Sequence, residues 1–127
     1  MGGYLIDTNA VSHYLSSALP DVGMEFMDTV IDGDYHLSVI TEIELRCWRT
    51  EKVIEAQVAD FIADSDVLPV SADVITHCVS IRRNRKIKTP DAIIAATALA
   101  FDYVLITDNT KDFSNINGLK LLNPNLV

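Results

Sequence analysis

The sequence is poor in cysteine, proline and glycine, and it has no apolar run long enough to cross a membrane. Its two cysteines, Cys47 and Cys78, belong to no C-x-x-C motif or His cluster, so we expect reduced core thiols and no structural zinc site. Five Gly and four Pro, with 49% hydrophobic residues, exclude a disordered or low-complexity chain. Without a span of roughly 20 apolar residues or a basic signal region, we expect a soluble cytoplasmic protein with no membrane partner.

Basic side chains are also scarce, since ten Lys and Arg stand against 18 Asp and Glu and leave a net charge of −8. Such a balance ordinarily argues against nucleic acid, because Lys and Arg supply the contacts to phosphates. Acids that hold a divalent cation no longer repel phosphate, however. The basic residues are also clustered, and this basic segment is either a solvated helix end or a surface that binds phosphates. Its members are Arg82, Arg83, Arg85, Lys86 and Lys88.

Short apolar runs alternate with helical patterns along the whole chain. Strands are predicted at 3–6, 35–39, 67–70, 103–107 and 119–122, and helices at 9–17, 21–31, 41–49, 51–64, 71–85 and from 89 onwards. This alternation predicts one α/β domain over residues 1–127, with a parallel sheet covered by helices. The runs around Leu5 and Leu105 are apolar on both faces, which is typical of central strands.

Two of these strands end in similar polar phrases, YLIDTN at 4–9 and YVLITDN at 103–109. If the strands are neighbours, Asp7 and Asp108 lie together beyond the carboxyl ends of the sheet, where sites of α/β proteins form. In VITEIELRCW, Thr41 and Glu44 have the spacing of a capping box with Thr41 as the cap, so Glu44 has a structural interpretation beside a functional one. Spacing alone does not separate Glu44 from Glu42 as the candidate acid.

A third region with a candidate acid is KTPDAIIAATALA. Thr89 and Pro90 predict a helix start with Thr89 as the N-cap, and Asp91 could simply complement the helix dipole. The residues after Asp91 are apolar almost all round, so the helix should be buried against the sheet with Asp91 at its edge. Carboxylates gathered in this way repel one another, and a hard cation such as Mg²⁺ or Mn²⁺ relieves the repulsion.

Four phrases in this order, LIDTN, SVITEIEL, TPDAIIAATAL and LITDNTKDF, make the chain resemble PIN-domain proteins, most closely VapC-like toxins of toxin–antitoxin pairs. The resemblance implies a five-stranded parallel sheet of order 3-2-1-4-5 and a metal-dependent endoribonuclease. The residues implied to bind metal and catalyse are Asp7, Glu44, Asp91 and Asp108, with Asn9 and Thr107 in support. For the fourth acid, Asn109 and Asp112 remain alternatives to Asp108.

The same resemblance implies an RNA substrate, a cognate antitoxin that places an Arg or Lys in the acidic pocket, and a homodimer. The basic segment could guide RNA towards the metal, and Trp48 could stack on a base or belong to the core or an interface. His13, His36 and His77 have no triad spacing and are assigned to packing or surface. A non-catalytic PIN fold that binds RNA or protein is the alternative function. Interface candidates that serve equally as core are Tyr14, Leu15, Met24 and Met27.

Overall fold

Five short strands form the central sheet of the structure, a computed structural model that describes residues 3–127. Every strand pair is parallel, and the spatial order is β3-β2-β1-β4-β5. The predicted α/β class, the PIN-like fold and the strand order are therefore confirmed. The strands are β1 (Tyr4–Ile6), β2 (Tyr35–Ser38), β3 (Asp66–Leu68), β4 (Val104–Ile106) and β5 (Lys120–Leu122).

Seven helices in the described part of the chain flank this sheet. None of them is long and apolar enough to span a membrane. The first four follow β1 and β2, and the last three lie between β3 and β5. They are α1 (Thr8–Leu15), α2 (Asp21–Asp32), α3 (Val39–Cys47), α4 (Lys52–Asp64), α5 (Ala72–Asn84), α6 (Thr89–Phe101) and α7 (Thr110–Phe113).

The two central strands β1 and β4 divide the core into two halves, one on each face of the sheet. Leu5 pairs with Leu105 and Ile6 with Ile106, and all four side chains are fully buried. Because successive side chains of a strand point to opposite faces, the two Leu residues pack with α5 and α6, while the two Ile residues pack with α1 to α4. The predicted central position of both strands is confirmed.

Helix α6 is buried as predicted, and its small side chains explain how. Ala92, Ala95, Ala96 and Ala98 are at most 1% exposed, and they share a core cluster with side chains of α5 and of the sheet. Small side chains allow close packing of a helix on its neighbours. The first turn of α6, which carries Asp91, is therefore fixed against the sheet.

Two predicted N-caps, Thr41 and Thr89, are wrong. Helix α3 begins at Val39, and its N-cap is Ser38, whose Oγ accepts a hydrogen bond of 3.1 Å from the Ile40 amide. Ser38 ends β2 with an extended backbone, the conformation that an N-cap needs, so the strand runs directly into the helix and no capping box forms at Thr41. Helix α6 begins at Thr89, and the N-cap is Lys88, with no side-chain cap.

Exposure corrects the cysteine prediction and shows how the interface candidates pack within the chain. Cys78 is half-buried, but Cys47 is exposed at the end of α3, so the prediction of a core thiol is wrong for Cys47. Met27 is fully buried, and the other three candidate interface side chains pack against the same core. All four therefore contribute to core packing, and an interface role for the three that are partly buried stays a prediction.

Candidate active site

Asp7 lies at the carboxyl end of β1 and is held by groups from two adjacent strand ends. Its amide donates to the Ile106 carbonyl across 2.9 Å. Its Oδ1 accepts from the Thr8 amide at 2.8 Å, and its Oδ2 accepts from the Thr107 hydroxyl, also at 2.8 Å. Only 6% of Asp7 is exposed. The start of α1 therefore fixes Oδ1 of this buried carboxylate, and Thr107 at the end of β4 fixes Oδ2.

The surroundings of Asp7 disfavour its charge. Burial is the main cause that raises the pKa of Asp7 from 3.8 to about 6, since a desolvated carboxylate loses its hydration. The hydrogen bonds from Thr107 and Thr8 lower the pKa, while the charges of Asp91 and Glu44 raise it further. No basic side chain contributes to this balance. The site therefore holds an acid whose negative charge has little compensation within the chain.

Glu44 reaches the same place from α3 through Thr8. The Thr8 hydroxyl lies 2.5 Å from Glu44 Oε1 and 3.2 Å from the Thr41 hydroxyl. Thr8 thus contacts Asp7 through its amide and Glu44 through its side chain. Glu42 instead accepts a hydrogen bond of 2.8 Å from Arg46 Nε on the surface. The structure separates the two glutamates, which sequence spacing alone could not do.

Asp91, in the first turn of α6, completes a group of three acids that we call the acidic centre: Asp7, Glu44 and Asp91. Burial is the first cause that raises the pKa of Asp91, followed by the charges of Glu44 and Asp112, while Lys88 lowers it. Each acid of the centre thus comes from a different element. Asp112, on α7, is the further acid whose charge acts on Asp91.

The structure separates the three options for a fourth acid. Asp108 lies 2.8 Å from Nδ1 of His13 on α1. Asn109 donates from its amide nitrogen to Thr107 Oγ1 at 3.0 Å and from Nδ2 to Asp112 Oδ2 at 2.9 Å. Asp112 is therefore oriented by Asn109 and acts on Asp91, whereas Asp108 faces His13. Asp108 as the fourth acid stays a prediction, and Asp112 is the alternative that this geometry favours.

Asn9 does not take part in the hydrogen bonds to Asp7, although support was predicted for it. Those bonds come from Thr8 and from Thr107, which was also predicted to support the site. Sequence reasoning missed Thr8, and the signal available was its place directly after Asp7. It also missed the contact of His13 with Asp108, whose partners lie at opposite ends of the chain.

The basic segment is partly used by the fold itself. The guanidinium of Arg85 donates to the carbonyl oxygens of Ser114 and Asp112, and Arg82 Nε donates to the Ile87 carbonyl at 3.3 Å. Arg83, Lys86 and Lys88 are exposed. Lys88 is also the residue whose charge acts on Asp91. These exposed residues are therefore the members best placed to meet an external phosphate.

The chemistry of the acidic centre fits a hard divalent cation. Within residues 3–127, no three His, Cys, Asp or Glu side chains are close enough together to hold a metal ion as they stand. Mg²⁺ usually keeps several waters and needs only one or two carboxylate ligands, however. Such an ion would stabilise the charged forms of Asp7 and Asp91, whose pKa values are raised by burial and by neighbouring acids.

The Thr107 hydroxyl provides a direct test of this electrostatic balance. We expect Thr107→Val to raise the pKa of Asp7 further, because the hydrogen bond that favours its charged form is lost. We also expect a loss of about 1–3 kcal/mol in the free energy of unfolding at neutral pH. NMR titration of the Asp7 carboxyl would measure the pKa, and urea unfolding would measure the stability.

Thr97→Val is the matched control, since Thr97 is equally buried and its hydroxyl bonds only to the Ile93 carbonyl within α6. An unchanged Asp7 pKa in Thr107→Val would contradict the role given to this hydroxyl.

Comparison with known proteins places most of the chain in one family. The model of the PIN domain matches residues 4–119. A chain from a toxin–antitoxin complex of Klebsiella pneumoniae is 29% identical, with a TM-score of 0.78 over 96% of this chain and 98% of that chain. A chain of DNA-bound VapBC from Salmonella typhimurium is 21% identical, with a TM-score of 0.79 over 98% and 99%. No curated protein sequence matched the chain.

A further similar structure is FitAcB from Neisseria gonorrhoeae, at 24% identity and a TM-score of 0.77 over 95% of this chain and 97% of that chain. The family match extends from β1 almost to β5, so it includes all the elements that carry the acidic centre. The resemblance to VapC-like PIN-domain proteins that the motifs predicted is confirmed, and the chain belongs to the PIN-domain family.

Proposed function

We propose that this protein is a metal-dependent endoribonuclease and the toxin of a toxin–antitoxin pair. The observation that carries the proposal is the acidic centre itself. Asp7 is buried with its pKa raised to about 6, and Glu44 and Asp91 from two other elements contribute to that rise. An uncompensated acid at the carboxyl edge of a parallel sheet is costly for the fold. Such a cost is explained if the acids hold Mg²⁺ or Mn²⁺.

The residues of the acidic centre have separable roles in this proposal. Asp7 and Asp91 would bind the ion, and Glu44 would bind it directly or through a water. When bound, the ion would activate a water for in-line attack on phosphorus and stabilise the charge that develops there. Thr107 and Thr8 keep the Asp7 carboxylate oriented through their hydrogen bonds. Asp112 or Asp108 would supply a fourth carboxylate.

RNA is the proposed substrate, and the exposed part of the basic segment supports it. Arg83, Lys86 and Lys88 lie just before the helix start that presents Asp91. Contacts from these side chains to backbone phosphates would offset the repulsion due to the net charge of −8. Affinity for RNA should therefore fall as salt concentration rises.

A protein partner is the second part of the proposal. The similar structure from Klebsiella pneumoniae is a toxin–antitoxin complex, and the one from Salmonella typhimurium is DNA-bound VapBC. We propose a cognate antitoxin that inserts an Arg or Lys into the acidic centre, where a cation would offset the uncompensated charge. We also propose a homodimer, for which exposed Ile75 and Val79, one turn apart on α5, offer apolar surface. Activity on RNA would take place in the cytoplasm.

Incubation of the isolated protein with total cellular RNA tests the activity. Parallel reactions contain manganese, magnesium or a chelator, and fragments are read by sequencing of their ends. Discrete cuts that need the metal are expected. A folded protein that neither cuts RNA nor binds manganese would overturn the proposal and favour the alternative, a non-catalytic PIN fold that binds RNA or protein.

The fourth acid is decided by a pair of matched variants. Because Asp112 acts on Asp91 and Asp108 faces His13, we expect Asp112→Asn to lower the cleavage rate by about tenfold or more, as loss of metal support does. Asp108→Asn should have a smaller effect. The measurement is cleavage rate against manganese concentration. A larger loss in Asp108→Asn would restore Asp108 as the metal-supporting acid.

A further inference from the structure

A small cavity of about 280 Å³ opens beside the acidic centre. One residue, Thr8, belongs to both, because it contacts Asp7 and Glu44 and also lines the cavity. On the other side, His13 connects the cavity to Asp108, the residue after Thr107. We call this cavity the Trp48 cavity. Its lining residues are Thr8, Asn9, Ser12, His13, Ser16, Leu45 and Trp48.

We propose that the Trp48 cavity binds one nucleobase of the RNA, next to the phosphate held at the acidic centre. This inference rests on the proposed ribonuclease function. It adds a second kind of contact, since the acidic centre and the basic segment address phosphates and read no base. The cavity would therefore determine the nucleotide at which the protein cleaves the RNA.

The walls of the Trp48 cavity suit a planar ring. Trp48 follows the last residue of α3, is half-buried, and packs against the core, so its indole is held in place. The His13 imidazole is 44% exposed and is oriented by Asp108 through Nδ1. Bases stack readily on aromatic side chains, and such stacking contributes to affinity for any base.

Polar groups on the remaining wall could recognise the edge of that base. Asn9 offers a carboxamide with both donor and acceptor atoms, and it is exposed. Ser12 Oγ donates to the Asn9 carbonyl at 3.0 Å, which leaves its lone pairs free to accept a hydrogen bond. Single-stranded RNA is read by this combination of stacking and edge hydrogen bonds.

The composition of the cavity favours a base over a segment of protein. Its volume is just below the range of about 300–1,000 Å³ found for ligand sites, which suits a single ring system. Leu45 is its only aliphatic residue and is 1% exposed, so the cavity offers almost no aliphatic surface to a partner helix. Because Thr8 lines the cavity and also contacts Asp7 and Glu44, a base bound there would lie next to the acidic centre.

Tryptophan fluorescence gives a direct test, because Trp48 is the single Trp of the chain. The Asp7→Asn protein, in chelator, is titrated with short oligoribonucleotides and with an abasic ribose-phosphate oligomer of equal length. Binding is followed separately by anisotropy of a labelled end. Quenching by the base-containing oligomers alone is expected. Equal quenching by the abasic oligomer, RNA binding without quenching, or no RNA binding at all would each overturn the proposal.

Cleavage by two variants separates this inference from the proposed function. Trp48→Leu should lower kcat/KM by about tenfold, because a stacking platform is lost. Trp48→Phe, which keeps an aromatic ring, should retain most of the activity, and circular dichroism verifies folding of both. If all forms cut RNA equally well, the proposed ribonuclease activity is supported and the proposed base subsite is overturned. A protein partner would then be the candidate occupant of the cavity. If no form cuts, the fluorescence titration still decides whether a base binds.

Discussion

Replacing Asp7 by Asn is expected to abolish metal-dependent RNA cleavage, with a loss of at least about a hundredfold. Loss of an outer residue that only orients a metal ligand already costs about 10–100-fold, and Asp7 is proposed to bind the ion itself. Asn has the same shape and can still accept from the Thr8 amide. The fold should therefore survive. The measurement is the initial rate of cleavage in manganese, with circular dichroism of the same sample.

Asp60→Asn is the matched control, because it makes the same chemical change at an exposed residue of α4. We expect it to cut RNA at the wild-type rate. Cleavage by Asp7→Asn within a few-fold of wild type would contradict the assignment of Asp7 as a metal-binding residue.

The stability of the metal-free protein should fall as pH rises, and Asp7 should be a main cause. The folded state raises the pKa of Asp7 from 3.8 to about 6, so the folded chain binds the proton more tightly than the unfolded chain. The stability from this group is fully present below pH 3.8 and is lost as pH rises through about 6. The shift corresponds to at most about 3 kcal/mol.

The measurement compares wild type and Asp7→Asn by urea unfolding in chelator from pH 4 to pH 7.5. The variant has no carboxyl at this place, so its advantage over wild type should grow by up to about 3 kcal/mol across that range. Added manganese at pH 7.5 should close the gap by stabilising only the wild type, by about 2.7 kcal/mol at a hundredfold excess over Kd. A difference that is constant with pH would show that Asp7 is not an uncompensated buried acid.

The middle of the sheet could be predicted because β1 and β4 are buried on both faces. The apolar runs around Leu5 and Leu105 identify central strands without tertiary information, and the polar residues that follow them identify the functional edge. The order of the strands came from family resemblance. The choice of Asp7, Glu44 and Asp91 as site residues also came from that resemblance. In the structure, the charge of Glu44 acts on both Asp7 and Asp91.

What the sequence could not provide depends on contacts between distant segments. Glu44 has the spacing of a capping box, but the extended Ser38 caps α3 and leaves Glu44 to meet Thr8. The contact of His13 with Asp108 has no local pattern at either end. Helix α7 has only four residues, which is too short for a periodic pattern, so the orientation of Asp112 could not be predicted from the sequence.

The position of β1 at the middle of the sheet has a consequence for the protein during its own synthesis. One edge of β1 pairs with β2 early, but the other waits for β4, a hundred residues later. Asp91 and Thr107 also arrive late, so a nascent chain carries Asp7 and Glu44 without a complete acidic centre. The acidic centre is thus completed only after most of the chain has been synthesised. The same delay leaves β1 with an unpaired edge, which is a point where misfolding can begin.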